Sequence, residues 1–165
     1  METERTRWSL LEEKDLPDMM EMAREPDTFK YLKKFQVMTA EEYGRFLYTK
    51  LEQIHRGLGY HWAIRLKTDQ SFIGAVNLNP IGNSSFLQIG CQLKRAWWHQ
   101  GFATELMKGV MAFAAGKTTL TEIYGVFEKD NFISRRLLGR LGFQWQESKT
   151  DTGTGVEIEI HKYSF

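Results

Sequence analysis

A helix enclosed between two strands, within residues 86–127, constrains the fold more strongly than any other feature of the chain. Residues 86–93 and 120–127 have the pattern of strands. Residues 103–115, between them, carry apolar side chains at helical spacing, and Gly116 is the expected helix end. Two strands joined through a helix lie parallel, and the crossover is right-handed. This unit therefore predicts a sheet that contains a parallel pair.

The rest of the chain adds antiparallel strands and more helices around that unit. Asp15 before Pro17 is typical of a helix start, and Thr39 with Glu42 forms a capping box at the next one. Polar and glycine-rich turns separate the strands and favour hairpins. The order predicts an α/β fold with a mixed sheet flanked by helices, as a single domain over residues 1–165. The other predicted strands are residues 6–11, 60–66, 71–78, 143–147 and 156–163, a turn-rich break covers residues 80–85, and a further helix begins at Asp130 or Asn131.

Charge balance and cysteine content exclude several classes of function. The chain has 22 Lys and Arg against 21 Asp and Glu, a formal net charge of +1, which gives no electrostatic basis for binding nucleic acid or an anionic membrane. Cys91 is the only cysteine and His99 has no partner at ligand spacing, so no metal site is expected. The longest apolar run, residues 110–115, is too short to span a bilayer, and the N-terminus lacks the apolar core of a signal peptide. We therefore expect a cytoplasmic protein.

The segment that leads into the predicted helix at residue 103 is the one that suggests chemistry. It runs from a strand through a tight turn with small residues at Gly101 and Ala103. The N-terminus of a helix leaves backbone amides unpaired and carries a partial positive charge, so an anion can bind there if the side chains are small. The spacing is compatible with a phosphate-binding turn and equally with a compact connection.

The chain contains two motifs, Trp98-x-x-Gly101-x-Ala103 and Asn131-Phe132-Ile133-Ser134 followed by Leu141-Gly142-Phe143. They resemble motifs of the GNAT N-acetyltransferase superfamily, and most closely those of the branch that contains the ribosomal-protein N-terminal acetyltransferases. The acetyl-coenzyme-A signature of the superfamily, Gln/Arg-x-x-Gly-x-Gly/Ala, is similar to Trp98-x-x-Gly101-x-Ala103 in this chain. A second motif of the branch resembles Asn131-Phe132-Ile133-Ser134 followed by Leu141-Gly142-Phe143. The predicted element order also matches the GNAT fold over the whole chain.

The resemblance implies a cofactor site for acetyl-coenzyme A, used as a cosubstrate, without a metal. The parallel strands on either side of the crossover helix would splay apart and admit the pantetheine arm. The amide near Leu93 would meet the thioester carbonyl and stabilise the oxyanion, and Asn131 would bond the arm as well as cap its helix. The implied cofactor-binding residues are Leu93, Trp98, His99, Gln100, Gly101, Phe102, Ala103, Thr104 and Asn131, with the amides of residues 99–104 holding the pyrophosphate.

The resemblance is weaker for the catalytic groups. Ser134, the serine of the branch motif, is the implied general acid for the departing thiolate. Leu138 stands where many GNAT enzymes have a tyrosine, so the acid role falls to Ser134 or to water. Gln88 stands where branch members often have a glutamate, so the general base is open. The candidates are His61, Glu128, Asp130 and a water molecule. Cys91 is interpreted as a small packing residue.

The resemblance implies an enzyme that acetylates a primary amine, either a protein N-terminus or a small molecule. The acceptor is expected beside residues 29–38, which contain Tyr31, Phe35 and a run of lysines (Lys30, Lys33 and Lys34). The alternative is a non-catalytic acyl-coenzyme-A-binding module of the same fold, which Gln88 and Leu138 favour. The identity of the acceptor and the oligomeric state stay open.

Overall fold

A computed structural model describes residues 1–82, 84–117 and 120–165. Asn83, in the turn predicted at residues 80–85, lies outside the described residues. The strands are β1 (Thr6–Leu10), β2 (Tyr60–Leu66), β3 (Phe72–Pro80), β4 (Leu87–Leu93), β5 (Glu122–Glu128), β6 (Gln144–Thr150) and β7 (Glu157–Ser164). The helices are α1 (Leu16–Ala23), α2 (Lys33–Gln36), α3 (Ala40–His55), α4 (Phe102–Lys117) and α5 (Phe132–Arg140).

All seven strands lie in one sheet, in the order β1-β2-β3-β4-β5-β7-β6. Neighbouring strands are antiparallel except β4 and β5, which are parallel and are joined through α4. The predicted mixed sheet flanked by helices is therefore confirmed. Within the described residues, no helix combines the length and apolar character needed to cross a bilayer.

Each face of the sheet buries its own apolar cluster. On one face α4 and α5 pack on the strands, with Leu106, Val110 and Leu138 buried against Ile89 and Ile123. On the other face the buried side chains come from α1, α3 and the strands beneath them, namely Met19, Met22, Tyr43, Leu47, Leu51, Ala63 and Phe72. Because side chains alternate along a strand, each residue of β2 to β5 faces one helical layer or the other.

Both predicted helix starts are confirmed, but the side chains at the two N-cap positions behave differently. At α3 the capping box is confirmed, since the Glu42 amide donates to Thr39 Oγ1 at 3.2 Å and the Thr39 amide donates to Glu42 Oε2 at 2.7 Å. At α1 the helix starts where predicted, with Asp15 at the N-cap position, but the Asp15 carboxylate makes no capping bond to the helix. The Asp15 side chain is fully buried, accepts the Glu12 amide and pairs with Arg65 at 2.9 Å. A buried carboxylate needs such a partner, and this one is supplied by β2.

Three segments depart from the predicted boundaries. α4 continues through Gly116, which lacks the positive φ of a helix end. α2 is a single turn, too short for helical periodicity to predict, and it lies inside the expected loop at residues 29–38. β6 extends to Thr150 although every residue in it is exposed, because pairing with β7 and not an apolar pattern maintains it.

Candidate functional site

The parallel strands β4 and β5 separate along their length. β4 pairs with β3 at seven positions, but with β5 only at Gln88 opposite Tyr124. Beyond that pair, residues 89–93 of β4 and 125–128 of β5 border an opening, which we call the β4–β5 gap. Backbone polar groups along the gap have no neighbouring strand to bond, so they are available to a ligand.

The amide of Leu93 points into the β4–β5 gap. Successive amides of a strand point to opposite edges, and the next amide, that of Lys94, donates to Ile73 O on β3 at 2.9 Å. The Leu93 amide and carbonyl therefore face the β5 side. Trp98 reaches the same edge, since its indole Nε1 donates to Leu93 O at 2.8 Å. The resemblance implied that Trp98 binds the cofactor, and the structure shows its side chain bonded to the end of β4.

In the turn from β4 into α4, the first backbone amides of the helix have no helical partner, and Gly101 has no side chain to cover them. The first bond of α4 runs from the Glu105 amide to Gly101 O at 3.1 Å, so the amides of residues 102–104 have no partner within the helix. Gly101 has φ +83°, and among the described residues the one atom within 4 Å of an added Cβ there is Arg5 Nη2, at 3.6 Å. His99 also has a positive φ of +60°.

The other residues predicted in the turn contribute mainly through their backbone. The Phe102 ring is buried in the core against Trp97, at 5.7 Å between ring centroids. Gln100 is exposed, and its side-chain amide donates to Ala96 O at 2.7 Å. Ala103 and Thr104 are half-buried in the first turn of α4.

Arg5 is a charged neighbour of the turn that the sequence analysis missed. Its guanidinium lies 3.8 Å from the centroid of the Phe102 ring, pairs with Glu105 Oε2 at 2.7 Å and donates to Gln100 O at 3.0 Å. Partial burial raises the pKa of Glu105, but hydrogen bonds from Thr3 and Arg5 outweigh this effect and hold the pKa below its ordinary value. No local pattern reveals this residue, because its partners lie 95 or more positions away.

At the start of α5, Asn131 and Ser134 lie in one helical turn. The Ser134 amide donates to Asn131 Oδ1 at 3.0 Å, which confirms Asn131 as the cap. Ser134 is half-buried. Leu138, one turn further, is buried against Gly125 of β5, where an added Cβ would lie 2.3 Å from Leu138 Cδ1. Gly125 is the first residue of β5 beyond the last pair with β4, so Leu138 covers the closed end of the β4–β5 gap.

A buried charged network anchors α5 to the sheet. Arg135 Nε donates to Glu159 Oε2 of β7 at 3.0 Å, and the same carboxylate oxygen lies 3.0 Å from His161 Nε2. The hydrogen bonds from Arg135 hold the pKa of Glu159 below its ordinary value, against the effect of burial. This network positions the helix turn that carries Asn131 and Ser134.

The candidate bases do not converge on one point. His61 lies on β2, in register with Asn77 of β3 and through it with Gly90 of β4. Burial lowers the pKa of His61 to about 3, so its imidazole is neutral, and its Nε2 is buried without a hydrogen-bond partner among the described residues. Glu128 ends β5, where its Oε1 accepts the Lys33 amide at 2.6 Å. Asp130 is exposed in the following turn.

Cys91 packs against the apolar cluster under α4. Burial raises the pKa of its thiol to about 12, so the thiol stays protonated at neutral pH. The interpretation of Cys91 as a packing residue is therefore confirmed.

A family model and a curated relative both identify this chain as similar to N-acetyltransferases. The family model of the acetyltransferase (GNAT) domain matches residues 5–144. A curated relative from Bacillus subtilis (strain 168), named uncharacterized N-acetyltransferase YoaA, is 29% identical over 87 residues, which are 52% of this chain and 49% of the relative. The match thus spans about half the length of that relative.

Two solved structures share the whole fold at low identity. One is an acetyl transferase from Salmonella typhimurium described as modifying the N-terminal serine of ribosomal protein L7/L12, with a TM-score of 0.83, 15% identity and coverage of 99% of this chain and 96% of that one. The other is spermidine N-acetyltransferase from Vibrio cholerae in complex with CoA and spermine, with a TM-score of 0.79, 17% identity and coverage of 96% and 95%. Both likenesses concern the fold alone.

Proposed function

Because the chain belongs to the GNAT acetyltransferase family, we propose that it transfers an acetyl group from acetyl-coenzyme A to a primary amine. The observation that carries this proposal is the β4–β5 gap, which leads from the Leu93 amide to the free amides at the start of α4. A strand edge without a partner, next to a helix N-terminus, suits a ligand with both amide-like and phosphate groups.

The residues present fit acetyl-coenzyme A. The gap offers backbone groups to a pantetheine arm, Gly101 leaves room above the amides of residues 102–104, and Arg5, although paired with Glu105, directs its Nη2 toward the turn. When bound, acetyl-coenzyme A supplies an activated acetyl thioester. In this assignment the Leu93 amide stabilises the oxyanion formed as the amine attacks, and Asn131 bonds the arm while it caps α5.

Ser134 is the group best placed to donate a proton to the leaving thiolate. It lies in the first turn of α5, on the same helix as Leu138, which covers the closed end of the gap. Leu138 cannot donate a proton, so the acid role falls to Ser134 or to water. Burial lowers the pKa of His61 to about 3, which makes its imidazole a weak base, and Gln88 has no basic group. A water molecule therefore remains the alternative to Glu128 and Asp130 for accepting the proton of the amine.

Ser134→Ala is expected to lower kcat roughly tenfold with little change in the KM for acetyl-coenzyme A, because general acid catalysis contributes less when the leaving group is a thiolate. The cap of α5 should survive, since Ser134 donates to Asn131 through its backbone amide. Steady-state turnover at saturating cofactor measures the effect, and Ser134→Thr, which keeps the hydroxyl, is the matched control.

A second substitution tests the assignment of Ser134 as the general acid by adding a proton donor to the variant that lacks the Ser134 hydroxyl. Leu138→Tyr places a phenol at the closed end of the gap, and in the Ser134→Ala background we expect it to restore part of the rate. Leu138 is 4% exposed, so the larger ring should also destabilise the fold by about 1–3 kcal/mol. Wild-type turnover of Ser134→Ala, under conditions where chemistry limits the rate, would leave water as the proton source.

The second candidate function is a non-catalytic acyl-coenzyme-A-binding module. Gln88 at the last β4–β5 pair and Leu138 over Gly125 favour it, because neither side chain can exchange a proton. Both functions require cofactor binding, so turnover distinguishes them.

The deciding experiment is a thiol-release screen with acetyl-coenzyme A against small amines and N-terminal peptides, beside calorimetry with coenzyme A. Thiol release that depends on an amine supports the enzyme. Tight coenzyme A binding without release for any amine supports the binding module, and absence of coenzyme A binding contradicts both.

A further inference from the structure

Four lysines on the α1/α3 side of the sheet have no acidic partner. They are Lys30, Lys33, Lys34 and Lys50, which we call the lysine patch. Within the described residues, none of these ammonium groups forms an ion pair with a carboxylate. By contrast, the basic residues that follow β4 are neutralised, since Lys94 pairs with Glu21 at 3.0 Å and Arg95 pairs with Asp27.

The lysine patch lies beside the mouth of the β4–β5 gap. The Lys33 amide donates to Glu128 Oε1 at 2.6 Å, and Glu128 is the last residue of β5. Aromatic packing holds α2 on α3, because the Phe35 ring lies 4.9 Å from the Phe46 ring, between centroids. Lys50 belongs to the same assembly, since its Nζ lies 4.9 Å from the centroid of the Phe46 ring.

Lys34 and Lys50 are close enough to repel each other. Burial, and then the neighbouring Lys34 ammonium, lower the pKa of Lys50. The polar contact of Lys50 is with an amide and not an acid, because its Nζ donates to Gln53 Oε1 at 3.0 Å. Two like charges held together without a counterion cost free energy that a bound anion would recover.

The sheet beneath the patch is polar and neutral. His61 lies there with its unpartnered Nε2, in register with Asn77, whose side chain covers Gly90 of β4. Gly90 lies two residues beyond Gln88, the last residue of β4 that pairs with β5, so this row reaches the open part of the strand. A carboxylate that contacts α2 is that of Glu128, whose Oε1 accepts the Lys33 amide and which keeps its negative charge beside the four ammonium groups. The acceptor side of the gap therefore has a wall of net positive charge above the uncharged side chains of His61 and Asn77.

We propose that the acceptor amine of this protein carries a carboxylate close to the amine, and that the lysine patch binds this carboxylate. The inference rests on the proposed function, since it assigns the substrate class of the same site. A carboxylate attached to a small molecule and one in an acidic N-terminal peptide present the same chemistry to the patch. A polyamine such as spermidine has the opposite charge and should be repelled.

The test compares acceptors of equal shape and different charge. The pairs are the peptide Ser-Asp-Asp-Ala with Ser-Asn-Asn-Ala, and aspartate with its diamide, with spermidine as the cationic acceptor. We measure kcat/KM by thiol release, and binding by calorimetry in the presence of coenzyme A. For each acidic acceptor that the enzyme uses, kcat/KM should be about tenfold higher than for its neutral partner, which is equivalent to about 1.4 kcal/mol. The preference should shrink in high salt, because exposed charges are screened.

Substitutions in the lysine patch test whether the patch causes the preference for acidic acceptors. Lys34→Gln with Lys50→Gln should raise the KM for the acidic acceptor about tenfold and leave the KM for the neutral partner and for acetyl-coenzyme A unchanged. Lys34→Gln alone changes an exposed side chain and should show part of the effect without disturbing the fold. The control is Lys149→Gln on β6, which removes the same charge at the edge of the sheet.

The outcomes separate this inference from the proposed function. Tighter binding of acidic acceptors without thiol release supports the inference and contradicts the transferase. Turnover with equal kcat/KM for the charged and neutral partners, or a preference for spermidine, overturns the inference while the transferase stands. Absence of any charge preference in binding also overturns it. The peptide and aspartate pairs show which source of carboxylate the site accepts.

Discussion

Gly101→Asp is expected to weaken the binding of acetyl-coenzyme A by about 100-fold or more, roughly 2.7 kcal/mol, while the protein stays folded. The substitution places a negative charge at the N-terminus of α4, where the proposed site holds the pyrophosphate. The added side chain would also meet Arg5, whose Nη2 lies 3.6 Å from the position of Cβ. Pairing with the new carboxylate would occupy the Arg5 Nη2 donor that faces the turn, which adds to the loss of affinity.

Gly101→Asn is the matched control, because it has the same shape without the charge. Gly101 has φ +83°, which disfavours other residues but tolerates asparagine and aspartate better than most. We expect Gly101→Asn to lose roughly tenfold in affinity, so the further loss in Gly101→Asp reports the charge. Calorimetry with acetyl-coenzyme A measures both. An unchanged affinity in a folded Gly101→Asp protein would remove the turn from the cofactor site.

Gly74→Ala is expected to destabilise the fold by about 3 kcal/mol. Gly74 of β3 lies opposite Leu93, and an added Cβ would be 2.1 Å from Gln92 O and 2.8 Å from Leu93 Cα. These are backbone atoms, so they cannot move away without separating β3 from β4. Gly74 therefore permits the close pairing that positions the Leu93 amide at the β4–β5 gap.

Urea unfolding measures the destabilisation as a lower midpoint at unchanged slope. Gly44→Ala in α3 is the control, because an added Cβ there meets nothing within 4 Å. Alanine at that position should stabilise the helix by up to about 1 kcal/mol. Equal midpoints for Gly74→Ala and the wild type would show that β3 and β4 can rearrange at this point.

Local patterns predicted the elements that depend on residues a few positions apart. The capping box of Thr39 and Glu42 and the cap at Asn131 are bonds between residues three positions apart, so the sequence contains both partners in one window. Asp15 has the residue type of a cap in the right place, but its partner Arg65 lies on a distant strand. The residues next to Asp15 in the sequence could not show that its carboxylate would be buried and paired with Arg65, and so would not bond the amides of α1.

The features of the candidate site also fall into those contained in one short stretch of sequence and those that depend on contacts between distant elements. The succession of strand, glycine-containing turn and helix at residues 86–115 is local, and the resemblance to GNAT enzymes implied that the flanking strands part. Arg5 lies beside Gly101, and Lys34 is near enough to Lys50 to lower its pKa. Both relations join separate elements, and neither was predicted from the sequence. Each depends on how helices and strands pack, which no short window contains.

The order of the elements, the parallel pair on either side of α4 and the free amides at its first turn follow from the sequence, because periodicity and small residues act over short distances. Periodicity and spacing could not show where β4 and β5 part, and the resemblance implied only that they do. The tertiary structure places the parting after Gln88 and Tyr124, turns the Leu93 amide toward the gap, and sets Leu138 over the closed end. These features depend on strand register and on the packing of α5 across Gly125. Register is set by the simultaneous burial of side chains from distant segments, so it exists only once the sheet has formed.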